Sequence, residues 1–346
     1  MIEDELRAAF ARLEESTPPV GPVRAAVDRM VISRRRRRRR VRLASTALVV
    51  VAVALVGFTV MAPRPPAPAL TKPVPEPGGA LNLLLLGVDE PVGSRRADSV
   101  LLVHVPADRS RLYLVSLPRD LLVPVPPQGG TEKLNATFSR AAGSGTDLAA
   151  GYRATRQAVA RLTGVRVDAG AVLTYPGARE LTDAVGGVPV CLPEPVRSVH
   201  TERRFPAGCQ RLDGAAAVDL LRQRYDLRDG GLDRDRNAAR YAAGLLRQMR
   251  ERGTMTDPAQ LSRLLVRIST AGTIDAGDLS LPALVGATGR AGAAEPVALA
   301  LPVRDEWTGR GFEPDPALAP GFLDALRADR LAQWAATHPA RVTALR

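Results

Sequence analysis

Charged side chains are concentrated in one short stretch of the sequence, RQRYDLRDGGLDRDRNAAR (222–240), which holds six arginines and four aspartates in nineteen residues. So much positive charge in one stretch suggests an anionic partner. A solvated surface loop is the alternative interpretation of the same composition. The Gly230-Gly231 pair interrupts any helical spacing of the charges and predicts a turn, so we expect a loop between two helices.

Three further charged residues stand at the ends of predicted strands: Asp89, Asp98 and Arg119. The apolar run LNLLLLGV (81–88) predicts a strand that is covered on both faces. The runs SVLLVHV (99–105) and RLYLVSL (111–117) predict two neighbouring strands. Because open α/β sheets bind ligands beyond strand ends, the three residues are candidates for a binding site, although charged residues at such places are also ordinary in loops.

The rest of the outer region alternates strands with helices. Strands are predicted at 169–175 and 188–193, and helices at 146–164, 176–187, 213–224, 237–253, 258–270, 278–290 and 320–337. This alternation predicts an α/β domain over residues 80–346. A three-layer α/β/α sandwich is favoured over a barrel, because the strands are too few and too unevenly spaced for eight repeats.

The first eighty residues predict a membrane anchor. Residues 1–42 carry twelve arginines and six acidic residues, and residues 43–63 form an uncharged run of twenty-one residues, about 30 Å of helix. A cleaved signal peptide would have a shorter apolar region, nearer the N-terminus. The positive-inside rule places 1–42 in the cytoplasm, and the proline-rich stretch 64–79 predicts an extended spacer. We therefore expect a single-pass cell-membrane protein with an extracellular domain at 80–346.

The seven consecutive arginines at 34–40 have two interpretations. Such a run can bind nucleic acid. Its place directly before the predicted span also suits membrane topology and attraction to anionic lipid headgroups. We expect membrane lipid as the partner of this block, and no nucleic acid.

Two cysteines, Cys191 and Cys209, both lie in the predicted external domain. An oxidising compartment allows them to pair, so we predict a disulfide. Metal binding by the two thiols is the alternative. It is disfavoured because the three histidines show no ligand spacing around them.

Taken in order, these segments resemble the LytR-CpsA-Psr family of cell-wall enzymes. The likeness rests on the predicted topology and on the motifs LNLLLLGVDE, RRADSVLLVHV, LVSLPRDLLVPVP, KLNATF, LTDAVGGVPVCLP and LDGAAAVDLLRQRYDLRDGGLDRDR. It covers residues 80 to about 252, and the helices downstream are generic. The resemblance implies the fold and the activity of that family.

Members of the family are phosphotransferases, assisted by magnesium, that move a glycopolymer with its phosphate from undecaprenyl pyrophosphate to a hydroxyl of peptidoglycan. The resemblance therefore implies Mg²⁺ as cofactor, and the lipid-linked glycopolymer and peptidoglycan as partners. The family's metal-binding carboxylates map onto Asp89 and Asp98. Asp98 is also a candidate for a general base. The catalytic and pyrophosphate-binding arginines map onto Arg96, Arg119, Arg222, Arg224, Arg234 and Arg236. In the family the lipid enters a hydrophobic tunnel. The resemblance therefore implies an apolar passage, which we expect the helices at 146–164 and 237–252 to line.

This sequence departs from the family pattern at three positions. An acidic residue is replaced by Gly231, and two glutamines are replaced by Ala238 and Ala239. Three alternatives stay open. The missing glutamines favour a binder that captures pyrophosphate lipids without turnover. A hydrolase could use water as acceptor in the same arginine cluster, and the basic tail of about forty residues could belong to a regulator.

Overall fold

The computed structural model describes residues 78–89, 95–125, 129–143, 146–254, 257, 260, 264, 272–304 and 309–346. The predicted tail (1–42), the predicted span (43–63), most of the spacer (64–79) and most of the helix predicted at 258–270 lie outside these residues. The described residues all belong to one compact unit, Pro73–Arg346. Within that described part, none of the helices combines the length and the apolar character needed to cross a membrane.

The strands are short except for the first two. In chain order they are β1 (Leu81–Val88), β2 (Ala97–Val105), β3 (Tyr113–Ser116), β4 (Leu122–Pro124), β5 (Thr131–Lys133), β6 (Ala169–Thr174), β7 (Val188–Leu192), β8 (Val196–Arg197), β9 (Arg204–Phe205), β10 (Gly208–Leu212), β11 (Gly272–Asp275), β12 (Val297–Ala300) and β13 (Val342–Thr343). Seven of them form one mixed sheet in the order β11-β6-β1-β2-β3-β12-β13. The predicted α/β class is confirmed, and the sheet is open.

The helices are α1 (Leu134–Ala141), α2 (Leu148–Thr163), α3 (Tyr175–Ala184), α4 (Gly214–Arg222), α5 (Gly231–Glu251), α6 (Leu281–Ala291), α7 (Ala319–Arg327) and α8 (Leu331–Thr337). Most helices follow the predicted positions, but α1 was not predicted, and two corrections are described below. Local signals explain several starts: the side chains of Asp147, Thr174, Asp213 and Ser280 each accept a backbone N–H at a helix N-terminus.

Alternate side chains of β1 point to opposite faces of the sheet, and helices cover both faces. On one face Leu84 and Leu86 pack in a core with Phe138 of α1 and Tyr152 of α2. On the other face Leu83 packs in a second core that includes alanines of α5 and α6. The sheet is therefore the middle of three layers, and both faces of β1 are covered over most of its length.

Strand directions bring four chain segments to one edge of the sheet. Strand β2 runs antiparallel to both β1 and β3, and β6 runs parallel to β1. The last residues of β1, β3 and β6 and the first residues of β2 consequently lie together. The candidate residues Asp89, Asp98 and Arg119 stand at this edge, as their positions beside predicted strand ends suggested.

The charged stretch 222–240 is only partly a loop, which corrects the sequence interpretation. Helix α5 begins at Gly231, so only residues 223–230 connect it to α4. Gly230 takes a positive φ of 52°, which glycine adopts without steric cost, and the turn is complete before the helix starts. Arg234 and Arg236 are therefore helical residues with a fixed angular relation.

The helix predicted at 320–337 is two helices, α7 and α8. Asp329, with a φ of 55°, turns the chain between them. Its carboxylate accepts hydrogen bonds from the Nε2 of His104, 2.8 Å away, and from the backbone N–H of Ala107. These long-range bonds hold the turn, and the sequence pattern of the helix did not show them.

The predicted disulfide is confirmed. Cys191 on β7 and Cys209 on β10 face each other across an antiparallel pair and are bonded. The bond closes a loop of the chain, and this loop contains β8 and β9.

Candidate functional site

An ion pair links two of the strand ends. Asp98, at the start of β2, accepts a hydrogen bond through Oδ1 from the Nη1 of Arg119, which follows β3. Both side chains are largely buried, at 17% and 11% exposed. Charge-assisted hydrogen bonds of this kind fix the orientation of both groups. Arg119 also has its Nε 3.3 Å from Asp120 Oδ2.

Tyr175 completes the arrangement around Asp98, and sequence reasoning missed it. Its hydroxyl donates to Asp98 Oδ2 at 2.9 Å. Burial raises the pKa of the Tyr175 hydroxyl far above its usual value, and the negative charge of Asp98 adds to the effect. The hydroxyl therefore keeps its proton and acts as a hydrogen-bond donor. Tyr175 directly follows β6 and is the last residue of the strand predicted at 169–175, so its place at a strand end was a usable signal.

The loop between β1 and β2 is closed by two bonds between its ends. Asp89 Oδ1 accepts the backbone N–H of Arg96 at 2.8 Å, and the N–H of Asp89 donates to the carbonyl of Arg96 at 3.3 Å. Burial raises the pKa of Asp89; the bond from Arg96 opposes the rise and the charge of Asp98 adds to it. Asp89 and Asp98 are thus neighbouring carboxylates at one strand edge.

Two arginines reach the site from the end of α4 and the loop after it. Arg222 is the last residue of α4, and its guanidinium carbon lies 5.7 Å from the centre of the Tyr175 ring, within the range of a cation–π contact. Arg224 stacks on the ring of the next residue, Tyr225, at 4.6 Å. Both guanidinium groups remain exposed enough to meet a ligand.

Arg234 reaches the same site from the first turn of α5. It is 3% exposed, and its Nη2 donates to Asp235 Oδ1 at 2.9 Å. Burial lowers the pKa of Arg234, but the charge and hydrogen bond of Asp235, together with the charge of Asp98, outweigh burial and raise the pKa above its usual value. Burial raises the pKa of Asp235 to about 6 against the attraction of Arg234.

These side chains line one cavity of about 910 Å³. Six arginines and three aspartates are among its lining residues: Asp89, Arg96, Asp98, Arg119, Arg179, Asp219, Arg222, Arg224 and Arg234. The excess of positive charge in a concave, partly buried site suits an anion with several negative charges. The structure brings together all the predicted site residues except one, and adds Tyr175 and Arg179.

The exception is Arg236, which the structure places elsewhere. Its guanidinium pairs with Asp229 and Asp233, and it lines a second cavity with Asp235 and Arg240. Successive helical residues are rotated by about 100°, so Arg234 and Arg236 point to nearly opposite sides of α5. We therefore leave Arg236 out of the arginine cluster of the larger cavity.

The rim of the larger cavity includes His200 and Thr201 from the segment between β8 and β9. Asp219 of α4 holds that segment, because its carboxylate accepts hydrogen bonds from the hydroxyls of Ser198 and Thr201. The disulfide described above closes the same loop at its base. These hydrogen bonds and the disulfide hold the segment in place, and so they fix the shape of the cavity rim.

Neither Ala238 nor Ala239 lines the larger cavity. Both are buried, at 7% and 1% exposed, and Ala239 packs in the core between the sheet and α5. The missing glutamines therefore leave no gap in the arginine cluster of this chain.

The donor set fits a hard divalent cation. Asp89 and Asp98 supply carboxylate oxygens, and a bound cation would offset both the burial and the repulsion from Asp98 that raise the pKa of Asp89. The described residues contain no cluster of three or more His, Cys, Asp and Glu side chains arranged to hold a metal. Mg²⁺ commonly uses one or two carboxylates with substrate phosphate and water, so two carboxylates are sufficient for it.

A profile of the LytR_cpsA_psr family matches residues 63–309. The match covers well over half of the chain, and the protein belongs to the LytR-CpsA-Psr family. The resemblance deduced from the sequence motifs is confirmed.

Among curated proteins, the chain is 35% identical over 213 residues to the cell wall biosynthesis protein LcpA of Corynebacterium glutamicum, covering 57% of this chain and 40% of the relative. It is 27% identical over 147 residues to the polyisoprenyl-teichoic acid–peptidoglycan teichoic acid transferase TagU of Bacillus cereus, covering 42% of this chain and 45% of the relative. The matched region thus spans less than half the length of these relatives.

Among solved structures, the fold is similar to that of a LytR-Csp2A-Psr enzyme from Actinomyces oris. The TM-score is 0.56, with 24% sequence identity, and the match covers 71% of this chain and 89% of the other. The likeness supports the mixed α/β architecture.

Proposed function

We propose that this protein is a membrane-anchored phosphotransferase that moves a glycopolymer, with its phosphate, from an undecaprenyl-pyrophosphate carrier to a hydroxyl of peptidoglycan. The observation that carries the proposal is the cavity in which Arg119, Arg222 and Arg234 meet the pair Asp89 and Asp98. Relatives named for cell wall biosynthesis and for teichoic acid transfer to peptidoglycan support it.

In the proposed reaction the acceptor hydroxyl attacks the phosphorus that carries the glycan. A new P–O bond to the acceptor forms, the P–O–P bond of the donor breaks, and undecaprenyl phosphate leaves. The proton of the hydroxyl passes to a carboxylate at the site.

The arginines contribute binding and electrostatic stabilisation. A pyrophosphate diester carries two negative charges, and transfer builds further charge on non-bridging oxygens. Guanidinium groups fixed in advance around those oxygens stabilise the charge without reorganising. Arg119 is held by Asp98, Arg234 by Asp235, and Arg222 lies over Tyr175, so each is oriented by a partner on the protein.

We assign Mg²⁺ to the carboxylates of Asp89 and Asp98. When bound there, the ion would neutralise charge on the donor phosphates. The carboxylates themselves orient Arg119, Tyr175 and the backbone of Arg96.

The lipid of the donor is assigned to the α5 side of the sheet. Leu85 of β1, Ala171 of β6 and Ile274 of β11 lie in one row across the strands. Leu85 is 37% exposed and Ile274 is 41% exposed, although Leu85 belongs to a central strand. Asp89 lies four residues beyond Leu85, about 13 Å along the strand. An apolar chain attached to pyrophosphate at the cavity has this row within reach.

This arrangement alters the sequence expectation for the lipid passage. Helix α2 packs against the opposite face of the sheet, where Tyr152 and Val159 join the core with Leu84. Of the two helices expected to line the passage, only α5 lies on the side of Leu85.

The test uses the full chain in detergent, a short-chain lipid-pyrophosphate glycan as donor and a peptidoglycan oligosaccharide as acceptor. Products are followed by mass spectrometry with and without Mg²⁺. We expect a phosphodiester-linked glycan on the acceptor that depends on Mg²⁺ and is lost in Arg119→Ala and Arg222→Ala. Removing one such electrostatic contact typically costs about 100- to 1000-fold in rate.

Arg236→Ala is the matched control, because Arg236 is a neighbouring arginine that lines the other cavity. We expect it to retain most of the activity. Donor bound without product would support capture alone, and release of phosphorylated glycan to water would support a hydrolase. Equal turnover by the wild-type chain and Arg222→Ala would refute the site assignment.

A further inference from the structure

A second cavity, of about 380 Å³, lies on the other side of the first turns of α5. None of its lining residues is shared with the larger cavity. Three polar residues of α5 that line it are almost fully buried: Asp235 is 6% exposed, Asn237 3% and Arg240 8%. Nothing in the proposed transfer reaction uses this cavity.

Arg240 carries a buried positive charge without a counter-charge. Its Nε donates to the carbonyl of Ala344 at 3.1 Å, and its Nη1 donates to Asn237 Oδ1 at 2.8 Å. It forms no ion pair with any residue that the structure describes. Burial accordingly lowers the pKa of Arg240, with attraction by Asp233 opposing the change. A buried charge that lacks a partner is costly, so an anion that paired with it would be bound favourably.

The carboxylates that line the cavity do not supply the missing charge, because three of the four are engaged elsewhere. Asp233 pairs with Arg236, Asp235 pairs with Arg234, and Glu194 lies 3.5 Å from Arg228. The fourth, Asp226, is exposed, so water screens its charge. Arg240 is therefore the buried charge of the cavity that no lining group neutralises.

Hydrogen-bond donors at the same place are also free. The Nη2 of Arg240 and the Nδ2 of Asn237 have no hydrogen-bond partner among the residues of the described ranges, and both residues line the cavity. Two N–H groups beside an uncompensated guanidinium match the oxygens of a small oxyanion.

We propose that the cavity at Arg240 and Asn237 is a second anion site, which binds a phosphate or carboxylate group of a ligand. The site is separate from the arginine cluster that contains Arg119 and Arg234. It does not depend on the proposed transfer reaction, since its argument rests on Arg240 and Asn237, which take no part in that reaction. The helical phase of α5 explains the separation, because Arg234 faces one cavity while Arg236 and Arg240, four residues apart, share the other side.

The test is made in an Arg119→Ala background, so that anion affinity of the larger cavity is weakened equally in every sample. Methyl phosphate and acetate are titrated separately into the full chain by calorimetry, at constant ionic strength set with chloride. We expect saturable binding of at least one of them. Preference for methyl phosphate would identify a phosphate ligand, and preference for acetate a carboxylate ligand. No binding of either above the chloride background would overturn the proposal.

Asn237→Asp is the decisive variant, because it places a carboxylate 2.8 Å from Arg240 with almost no change of shape. We expect it to raise the melting temperature of the ligand-free chain and to weaken anion binding about 10- to 100-fold, the value of a charge-assisted hydrogen bond. Arg240→Met should weaken binding by a similar factor. If Arg240 only anchored the carbonyl of Ala344, Asn237→Asp would leave anion affinity unchanged, and that result would refute the site.

Two controls complete the experiment. Arg240→Lys keeps the charge and should retain measurable binding. Arg153→Met removes an exposed charge on α2, on the opposite side of the sheet, and should leave both the affinity and its salt dependence unchanged. An equal loss of affinity in Arg153→Met would show that net charge, and not the cavity, binds the anion.

Discussion

Tyr175 provides the sharpest test of how the larger cavity is organised. The substitution Tyr175→Phe removes one oxygen atom and nothing else. The ring that lies under Arg222 is retained, and the hydrogen bond to Asp98 Oδ2 is lost. The ion pair between Asp98 and Arg119 remains.

The expected effect follows from the strength of that hydrogen bond. A bond to a charged group contributes about 1.5–3 kcal/mol. Because Arg119 still holds the other oxygen of Asp98, we expect the lower half of this range, which corresponds to about a 10- to 50-fold loss of kcat/KM. Tyr175→Leu also removes the cation–π contact with Arg222, and an exposed contact of this type adds about 0.5–1 kcal/mol.

The assay is the transfer reaction described above, with initial rates measured at several donor concentrations. Loss of orientation at Asp98 should lower kcat more than it raises KM, because the carboxylate acts on the reacting groups. Loss of the ring in Tyr175→Leu should in addition raise KM for the donor, since Arg222 is expected to bind its phosphates.

Tyr241→Phe is the matched control. Its hydroxyl bonds to Thr182 at 2.8 Å, its side chain is more deeply buried than that of Tyr175, and Tyr241 lies outside the cavity. We expect it to lower the free energy of unfolding by about 1 kcal/mol and to leave kcat/KM unchanged. If Tyr175→Phe kept full activity, or if Tyr241→Phe lost as much, the hydrogen bond to Asp98 would have no positioning role.

Three further predictions concern the lipid surface, the buried carboxylate and the disulfide. Leu85→Asp places a charge on the apolar row and should raise KM for a long-chain donor at least about tenfold, with little effect on a donor that lacks the lipid; equal effects on both donors would contradict the lipid assignment. Burial raises the pKa of Asp235 to about 6. The folded protein therefore holds this proton more tightly than the unfolded chain, and the resulting gain in the free energy of unfolding is complete at low pH and is lost as the pH rises from about 4 through 6. Asp235→Asn should remove that component, on the order of 2–3 kcal/mol, and superimposable pH profiles of the free energy of unfolding would disprove it. Replacing Cys191 and Cys209 by serine opens a loop of 18 residues and should cost about 3 kcal/mol; a melting temperature equal to that of the oxidised wild type would contradict it.

Much of the larger site was predictable from local sequence patterns. Asp89, Asp98 and Arg119 stand beside apolar runs that form strands, and consecutive antiparallel strands bring their ends together through short connections. The disulfide was predictable because the two cysteines stand alone in a domain expected outside the cell.

Tyr175 was not predicted because its role depends on a non-local pairing. Strand β6 lies beside β1 although eighty residues, 89–168, separate the two along the chain. Their parallel arrangement places the residue after β6 next to the residue after β1. The sequence around Tyr175 shows a helix start and gives no sign of Asp98.

The sequence by itself determined the family, the α/β class and the types of side chain available at the strand ends, because each is encoded in motifs or in hydrophobic periodicity. Only the tertiary structure decided which arginines share a cavity. The glycine pair suggested a loop, yet α5 begins at Gly231. The helix then fixes the direction of each side chain, so Arg234 turns toward Asp98 while Arg236 and Arg240 turn away from it. Charge content is a property of the sequence, but the direction in which each charge points is a property of the packed helix.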